Sequence, residues 1–238
     1  IMLASGFAIV VAWGPEFLFL YNDRYRQVLG ATKHPRALGR PAAEIFPEVW
    51  HFIGPLFEKT RSGQTVAVDD LLIPLDRYGY LEECFFTLSY SPIRDESGGV
   101  GGMLAIVAET TERVQGERRM RTLRDLAAIA PRAQTAEEAC ENAARTLGQN
   151  PTDVPFALVY LQGEDGARLV SRTGIEDAGI EWPLAEAART GGAVVVHELE
   201  LPGGAYPEPA RSAIVLPLTR PGSERPYGFL VAGMCPRR

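Results

Sequence analysis

Residues 109–129 contain no proline and a single glycine, Gly116, although the whole chain of 238 residues holds 18 prolines and 24 glycines. Because both residue types interrupt helices, so long a segment without proline predicts one continuous helix. The flanking segments, roughly 110 residues each, are each as long as a small domain. The sequence therefore predicts two small domains, over 1–112 and 131–238, joined by a connecting helix over 113–130.

The first flanking segment alternates short strands with short helices. Two apolar runs, 8–13 and 17–21, predict a hairpin, and Asn22 or Asp23 can cap the short helix that follows. Alternation over residues 83–91 is the clearest strand signal, because it places every second side chain on one face of a sheet. Further strands are predicted over 65–75 and 100–108. This pattern predicts an antiparallel sheet with helices on one face.

The second flanking segment repeats this α+β organisation with a different sequence. Thr135 and Glu138 form a capping box, which predicts a helix that runs to Leu147. Strands are then predicted over 155–162, 167–173, 193–196, 212–218 and 227–234, with a short helix over 183–189. The fold class is therefore α+β, with two small domains that each combine an antiparallel sheet with helices.

Charge and composition exclude several classes of protein. The chain has 24 Lys and Arg against 30 Asp and Glu, a formal net charge of −6, and 46% of its residues are hydrophobic. That apolar content is too high for a disordered chain. A nucleic-acid partner is not expected, because the phosphate backbone requires a basic surface.

The ends of the chain and its cysteines bear on location. The apolar run over 1–13 is shorter than the roughly 20 residues of a membrane span, so no membrane segment is expected in this chain. Three cysteines without metal-ligand spacing favour a reducing, cytoplasmic setting.

The first residue is isoleucine, and the last predicted strand is followed by no helix. We therefore expect the chain to be part of a longer gene product.

No catalytic or metal-binding motif occurs in the sequence. Residues 197–202, His-Glu-Leu-Glu-Leu-Pro, resemble the phosphoacceptor box of histidine kinases, but Glu200 replaces a basic residue and Leu201 replaces a threonine or serine. Their neighbours predict a strand and a loop, whereas the box requires a helix. A haem ligand at His51 and a reactive thiol at Cys84 are weaker interpretations than ordinary structural roles. We expect no catalytic residue, no metal site and no required cofactor.

Five aromatic residues form the candidate small-molecule pocket between the sheet and the helices of the first domain. They are Tyr21, Tyr25, Trp50, Phe86 and Tyr90. The alternative is that these rings only fill the core.

Three features together resemble a PAS domain over residues 1–112. They are 21–25 followed by 38–41, the strand and turn at 86–95, and the segment 101–113. The last feature resembles the Asp-Ile-Thr-Glu-Arg signature at PAS exits, with Glu109 and Thr110 in the first two positions. The resemblance implies that Glu109, Thr110, Thr111 and Arg113 couple the last strand to the outgoing helix, so that strain in the sheet becomes helix rotation or a register change.

The second domain resembles a GAF domain, truncated at its C-terminus. The segments that carry the resemblance are 135–139, 156–161, 213–218 and 228–233. The usual closing helix is missing, and neither a cyclic-nucleotide signature nor a cysteine placed for a bilin is present.

A PAS domain followed by a GAF domain resembles the input region of a bacterial two-component sensor histidine kinase. The resemblance implies a non-catalytic module that binds a small ligand or a partner and relays the change through its helix, in a homodimer, to a kinase core outside these residues. The alternatives are the input region of a serine phosphatase or a diguanylate cyclase, and a ligand-free dimerisation module.

Overall fold

Among the residues that the structure describes, ten strands form two separate five-stranded sheets, and two short strands form a third, two-stranded sheet. A computed structural model describes residues 2–176, 179–220, 222–223 and 225–237. The fold divides into a first unit, Ile1–Gly116 with Arg237–Arg238, and a second unit, Glu117–Pro236.

Up to residue 109, the described residues of the first unit form seven strands and three α-helices. In chain order these are β1 (Ala8–Trp13), β2 (Leu18–Tyr21), α1 (Arg26–Lys33), α2 (Ala42–Ile45), α3 (Trp50–Arg61), β3 (Val66–Leu72), β4 (Leu75–Asp76), β5 (Leu81–Glu82), β6 (Phe85–Arg94) and β7 (Val100–Glu109). The sheet order is β2-β1-β7-β6-β3, and every neighbouring pair is antiparallel. Strands β4 and β5 form a separate two-stranded hairpin. The predicted α+β class is confirmed.

The inner face of this sheet is the one that the alternation predicts. Cys84, Phe86, Leu88 and Tyr90 are all buried, with exposed fractions between 0% and 5%. They pack in one core with residues from α1 and α3. Where helices pack on one face of a sheet, every second residue of a strand is buried. The alternation of side chains in the sequence therefore predicts which residues face the core.

One predicted boundary of the first unit is wrong, and one glycine there has a special role. The strand expected over 65–75 ends at Leu72, and Leu75–Asp76 pairs instead with β5. Helix α1 is broken at Gly30, where φ is 63°. A Cβ at Gly30 would lie 2.5 Å from the carbonyl oxygen of Arg77, so a side chain there would block the approach of that backbone.

A single helix, α4 (Thr111–Ile129), includes all but the last residue of the segment 113–130, for which the sequence predicts a connecting helix. None of its residues is buried. Among the described residues, no helix has both the length and the apolar composition that crossing a membrane requires.

The second unit contains the other five-stranded sheet. Its elements after α4 are α5 (Ala136–Leu147), β8 (Ala157–Gly163), β9 (Gly166–Thr173), α6 (Leu184–Thr190), β10 (Val194–Val196), β11 (Ala213–Leu218) and β12 (Gly228–Gly233). The strand order is β10-β11-β12-β8-β9, antiparallel throughout. The predicted capping box begins α5: the Glu138 backbone N–H donates to Thr135 Oγ1 at 3.1 Å, and the Glu138 carboxylate accepts from the Gln134 backbone.

Candidate functional site

The core of the first unit encloses a small cavity of about 30 Å³. Three of the five predicted pocket residues line it: Tyr25 from the turn before α1, and Phe86 and Tyr90 from β6. The other lining residues are apolar: Val28, Phe46, Ile53, Phe57, Ile73, Leu75, Leu88 and Val107. The volume suffices for about one water molecule and lies far below the few hundred Å³ of a drug-sized site.

The other two predicted pocket residues do not line this cavity. The Tyr21 hydroxyl hydrogen-bonds to His34 Nδ1 at 2.9 Å. The Trp50 ring meets Phe57 edge-on, with 5.3 Å between ring centroids, and also packs against Gly54. Both side chains therefore support the wall of the core from outside the cavity.

Burial controls the ionisation of the two cavity tyrosines. It raises the pKa of Tyr90, and it raises the pKa of Tyr25 well above the usual value, with a smaller contribution from the nearby Tyr90. Both hydroxyls are therefore neutral and protonated at physiological pH.

The predicted exit motif begins at the end of β7 with a partly buried ion-pair cluster. Arg77, in the turn between β4 and β5, donates to the Glu109 carboxylate at 2.8 and 3.2 Å, and to the Glu82 carboxylate at 2.8 Å. It also donates to the Gln27 carbonyl oxygen at 3.3 Å. Burial opposes the charge of Arg77, but the hydrogen bonds to the two carboxylates outweigh it and raise the pKa of the guanidinium. Through Arg77, Glu109 is thereby connected to the hairpin of β4 and β5 and to Gln27 in α1.

Thr111 connects the first turn of α4 to the neighbouring strand. The Phe85 backbone N–H donates to Thr111 Oγ1 at 2.9 Å, and the Thr111 hydroxyl donates to Glu109 Oε1 at 2.9 Å. The Thr110 backbone N–H donates to the Phe85 carbonyl oxygen at 2.8 Å. The start of the helix is thus held to the beginning of β6 by side-chain and main-chain bonds together.

Arg113, also in the first turn of α4, fixes the helix to β3. It forms an ion pair with Asp70, whose backbone has a positive φ of 50° at the irregularity in the pairing of β3 with β6. The hydrogen bond from Arg113 lowers the pKa of the Asp70 carboxyl. All four predicted exit residues therefore lie at contacts within the first unit.

The later part of α4 is attached to the second unit through a pair that the sequence did not reveal. Arg118 donates to both Asp153 carboxylate oxygens, at 2.8 and 2.7 Å. Asn150 Nδ2 donates to Asp153 and to Thr122 Oγ1, each at 3.0 Å. Burial raises the pKa of Asp153, but these hydrogen bonds outweigh it and lower that pKa. Each portion of the helix is thus fixed by charged side chains to its own unit.

The residues considered for chemistry occupy ordinary structural positions. His197 lies in a loop after β10 and hydrogen-bonds to Ser212 at 3.1 Å, and His51 is exposed on α3. Cys84 is fully buried, and burial raises the pKa of its thiol to about 12, although Arg77 lowers it. Since a reactive cysteine needs an accessible thiolate, Cys84 acts as a small apolar residue. No group of three or more potential metal ligands is found among the described residues.

The comparisons with known proteins concern the first unit most directly. The family profile described as the PAS fold matches residues 5–115. No curated protein gives a match to the sequence.

Three similar solved structures cover between 51% and 98% of this chain. An RNA-binding Light-Oxygen-Voltage receptor is 22% identical over 53% of this chain and 35% of its own, with a TM-score of 0.40. The GAF domain of an Acinetobacter phosphoenolpyruvate-protein phosphotransferase is 15% identical over 51% of this chain and 80% of its own, with a TM-score of 0.39. The chromophore-binding domain of a Stigmatella aurantiaca bacteriophytochrome is 13% identical over 98% of this chain and 88% of its own, with a TM-score of 0.36.

The profile match extends from before β1 to the first turns of α4, so it includes the whole first sheet, the cavity and the exit motif. The second sheet is consistent with the predicted GAF-like domain. Residues 5–115 are therefore similar to the PAS fold.

Proposed function

We propose that this chain is the signal-sensing, non-catalytic PAS–GAF input module of a two-component sensor histidine kinase. In this proposal the first domain covers 1–112, a connecting helix covers 113–130 and a GAF-like domain covers 131–238. A small ligand or a partner acts on the first domain, and the helix relays the change toward a kinase core outside this chain. The module works in the cytoplasm as a homodimer and binds no nucleic acid.

The observation that carries this proposal is the attachment of one continuous helix to both units. Thr111 holds its start to the first sheet through Phe85 and Glu109, and Arg118 holds its later turns to Asp153. Because an α-helix is stiff over a few turns, a shift of its first turn displaces the turns that follow. A flexible linker would absorb such a shift, so these contacts favour a relay over a simple tether.

A second candidate function, a dimerisation module with no ligand, is favoured by the small volume of the cavity. At about 30 Å³ the cavity of the first unit holds no space for a flavin or a haem in this conformation. The two candidates differ in whether a small molecule enters the core.

The relay predicts that weakening the exit motif loosens the helix beyond it. Replacing Glu109 by glutamine removes the charge that faces Arg77 while retaining the shape of the side chain. We expect the backbone amides of 117–129 to exchange with deuterium at least about threefold faster in this variant, because a terminus that frays shortens the protected helix. Peptide-resolved hydrogen exchange measures this rate. Glu96→Gln is the matched control, since Glu96 is exposed in the turn between β6 and β7. Equal exchange in the two variants would contradict the relay.

Phosphate transfer from ATP tests whether the parent protein is a histidine kinase. With ATP labelled at its γ-phosphate, we expect this chain alone to take up no label and the full-length gene product to gain an acid-labile phosphohistidine. Label on His197 would refute a non-catalytic module. If the full-length protein instead condensed two added GTP molecules to a cyclic dinucleotide with release of pyrophosphate, the diguanylate cyclase alternative would be supported. Hydrolysis of an added phosphoserine peptide would support the phosphatase alternative.

The homodimer is expected to form through the exposed apolar residues of α4. Met120 and Leu123 are 65% and 59% exposed, and with Ala127 and Ala130 they follow the spacing of a short coiled-coil seam. Replacing both Met120 and Leu123 by glutamate should raise the dimer dissociation constant at least about tenfold, because it places like charges across the seam. Sedimentation equilibrium measures the constant. Arg121→Glu is the control, since Arg121 is exposed on the same helix outside the seam; an equal effect of this control would exclude the seam.

A further inference from the structure

A surface groove lies at the end of the first sheet that is opposite to the exit motif. It is formed by the turn between β1 and β2, the end of α3 and the start of β7, and its volume is about 370 Å³. Strand β7 begins at this groove and ends at Glu109, so one strand joins the groove to the exit motif. The first unit thus carries a second concave surface, separate from its core cavity.

The floor of the groove is a β-bulge that contains two glycines. The pairing of β6 with β7 shifts between Ile93 and Arg94, and Gly101 is the extra residue of β7. A Cβ at Gly101 would lie 3.0 Å from the ring of Trp13, and a Cβ at Gly102 would lie 2.6 Å from it. Because both side chains are absent, the indole lies directly on the backbone of β7.

Trp13 gives the groove an exposed aromatic surface. The residue is 42% exposed, although tryptophan is highly buried on average. The glycine backbone supports one side of the ring, so a bound group would meet the other side. The face of an indole attracts cations more strongly than the face of any other aromatic side chain, and a planar guanidinium can also stack on it.

The charges of the groove also favour a cation. Among the described residues, one cation, Arg61, and one carboxylate, Asp95, line it. Arg61 pairs with Glu58 on the same helix, with 2.5 Å between Nη2 and Oε2, so its charge is matched within α3. In the described part of the chain, Asp95 forms no ion pair. The groove therefore carries one unmatched negative charge.

The turn between β6 and β7 holds the Asp95 carboxylate in place. Its Oδ1 accepts from the Ser97 backbone N–H at 2.9 Å, from the Ser97 hydroxyl at 2.6 Å and from the Gly99 backbone N–H at 3.1 Å. The hydrogen bond from the Ser97 hydroxyl lowers the pKa of the carboxyl, which is therefore ionised at neutral pH. Oδ2 takes no part in these three bonds and can accept from a bound cation.

An arginine presented by a partner protein suits this groove better than a free small cation. At exposed sites, a cation–π contact and an ion pair each change a dissociation constant by only about two- to fivefold. A free cation would therefore bind weakly. An arginine within a larger contact gains further affinity from its neighbours, and Pro15 and Val100 offer apolar surface to them.

We propose that this groove docks an extended segment of a partner protein that places an arginine on Trp13, with Asp95 as the counterion of the guanidinium. The inference rests on the proposed function, because it names the kind of partner that acts on the first domain. A segment bound here contacts the start of β7, whose other end holds the exit motif.

The test compares two peptides that differ in charge and hardly in shape. The acetylated and amidated peptide Gly-Pro-Pro-Arg-Pro-Pro-Gly supplies the arginine on an extended backbone, and the same peptide with citrulline instead of arginine is the neutral match. The indole N–H signal of Trp13 in the NMR spectrum of the whole chain reports binding, and its loss in Trp13→Phe assigns it. We expect the arginine peptide to shift this signal and to bind at least about fivefold more tightly than the citrulline peptide. Equal affinities, or no shift with either peptide, would overturn the proposal.

A single substitution tests the counterion. Asp95→Asn removes the charge but keeps an oxygen that can accept from Ser97 and Gly99. We expect it to weaken binding of the arginine peptide about threefold and to leave the citrulline peptide unaffected. Glu96→Gln is the matched control, because Glu96 is exposed in the same turn and does not line the groove. Unchanged affinity in Asp95→Asn, or an equal loss in the control, would exclude Asp95 as the counterion.

Methylguanidinium tests whether the occupant is instead a free small molecule. If it bound as tightly as the arginine peptide, the groove would be a small-molecule site and the docking proposal would be wrong. We expect it to bind far more weakly than the peptide.

Hydrogen exchange of 117–129 with and without the arginine peptide separates this inference from the relay. Binding without any change in exchange would support the docking surface and count against the relay. An effect of Glu109→Gln on exchange, in a chain that does not bind the peptide, would support the relay and refute the docking surface.

Discussion

Replacing Arg77 by methionine is expected to destabilise the first unit by about 3 kcal/mol, because the change leaves two partly buried carboxylates without their shared cation. The side chain of Arg77 is 10% exposed, and those of Glu82 and Glu109 are 14% and 30% exposed. Methionine fills a similar volume, so the loss is that of the charge and its hydrogen bonds. Because Glu109 is partly exposed, we expect the loss of stability to lie toward the lower end of the range for a broken buried ion pair.

Urea unfolding followed by tryptophan fluorescence measures this effect in the first unit alone. The chain has three tryptophans, of which Trp13 and Trp50 lie in the first unit and Trp182 in the second. A Trp182→Phe background therefore makes the fluorescence report on the first unit only. In that background, Arg26→Met is the matched control, because Arg26 pairs with Asp23 at 3.9 Å on the surface. Surface pairs of this kind contribute little to stability.

A triple variant separates the loss of charge from the loss of shape. Combining Arg77→Met with Glu82→Gln and Glu109→Gln removes the two carboxylates that the single change leaves unpaired. We expect this variant to regain most of the lost stability, since the neutral amides cost less to bury. A triple variant as unstable as Arg77→Met would mean that packing around Arg77, rather than its charge, holds the hairpin in place.

The exit motif shows which part of a site can be predicted from sequence. The resemblance identified Glu109, Thr111 and Arg113, and all three make contacts within the first unit. Their partners were not predictable. Arg77 lies in an irregular turn between two strands of two residues each, 32 positions from Glu109, where no periodic pattern exists.

Only some of the residues that line the cavity could be predicted from the sequence. The period of two in β6 correctly put Phe86 and Tyr90 on the inner face. The turn before α1 brings Tyr25 to the same cavity, whereas His34 holds the hydroxyl of Tyr21 elsewhere. Sequence patterns determine which face is buried, but side-chain partners from distant segments decide which buried groups reach an empty space.

The residue that caps the turn after β2 could not be assigned from the sequence alone. The sequence left Asn22 and Asp23 as alternative caps, and the structure assigns the role to Asn22, whose side chain accepts from the Tyr25 backbone N–H at 3.3 Å. Residue type alone did not separate the two, because both are good caps. The difference lies in burial, since Asn22 is 1% exposed and the side chain of Asp23 is 95% exposed.

Replacing Asn22 by alanine is expected to destabilise the first unit by about 3 kcal/mol, the combined effect of a lost cap and of buried main-chain groups left without partners. Its carboxamide oxygen also accepts from the Ile9 backbone N–H at 3.1 Å. Its Nδ2 donates to the carbonyl oxygens of Met2 and Phe7 at 3.1 and 2.8 Å. One side chain therefore joins the segment before β1, the start of β1 and the turn before α1. Urea unfolding in the Trp182→Phe background measures the loss, and Asp23→Ala should change it little.

Asn22→Asp makes the sharper test because aspartate has almost the same shape. An aspartate can still accept from the Ile9 and Tyr25 backbone N–H groups, and it is an equally good cap. It cannot donate, so at neutral pH it sets a negative oxygen against the carbonyl oxygens of Met2 and Phe7, in a site with almost no water. We expect Asn22→Asp to be at least as destabilising as Asn22→Ala. If Asn22→Asp instead retained wild-type stability, the cap alone would account for the role of Asn22, and its two donated hydrogen bonds would contribute nothing measurable.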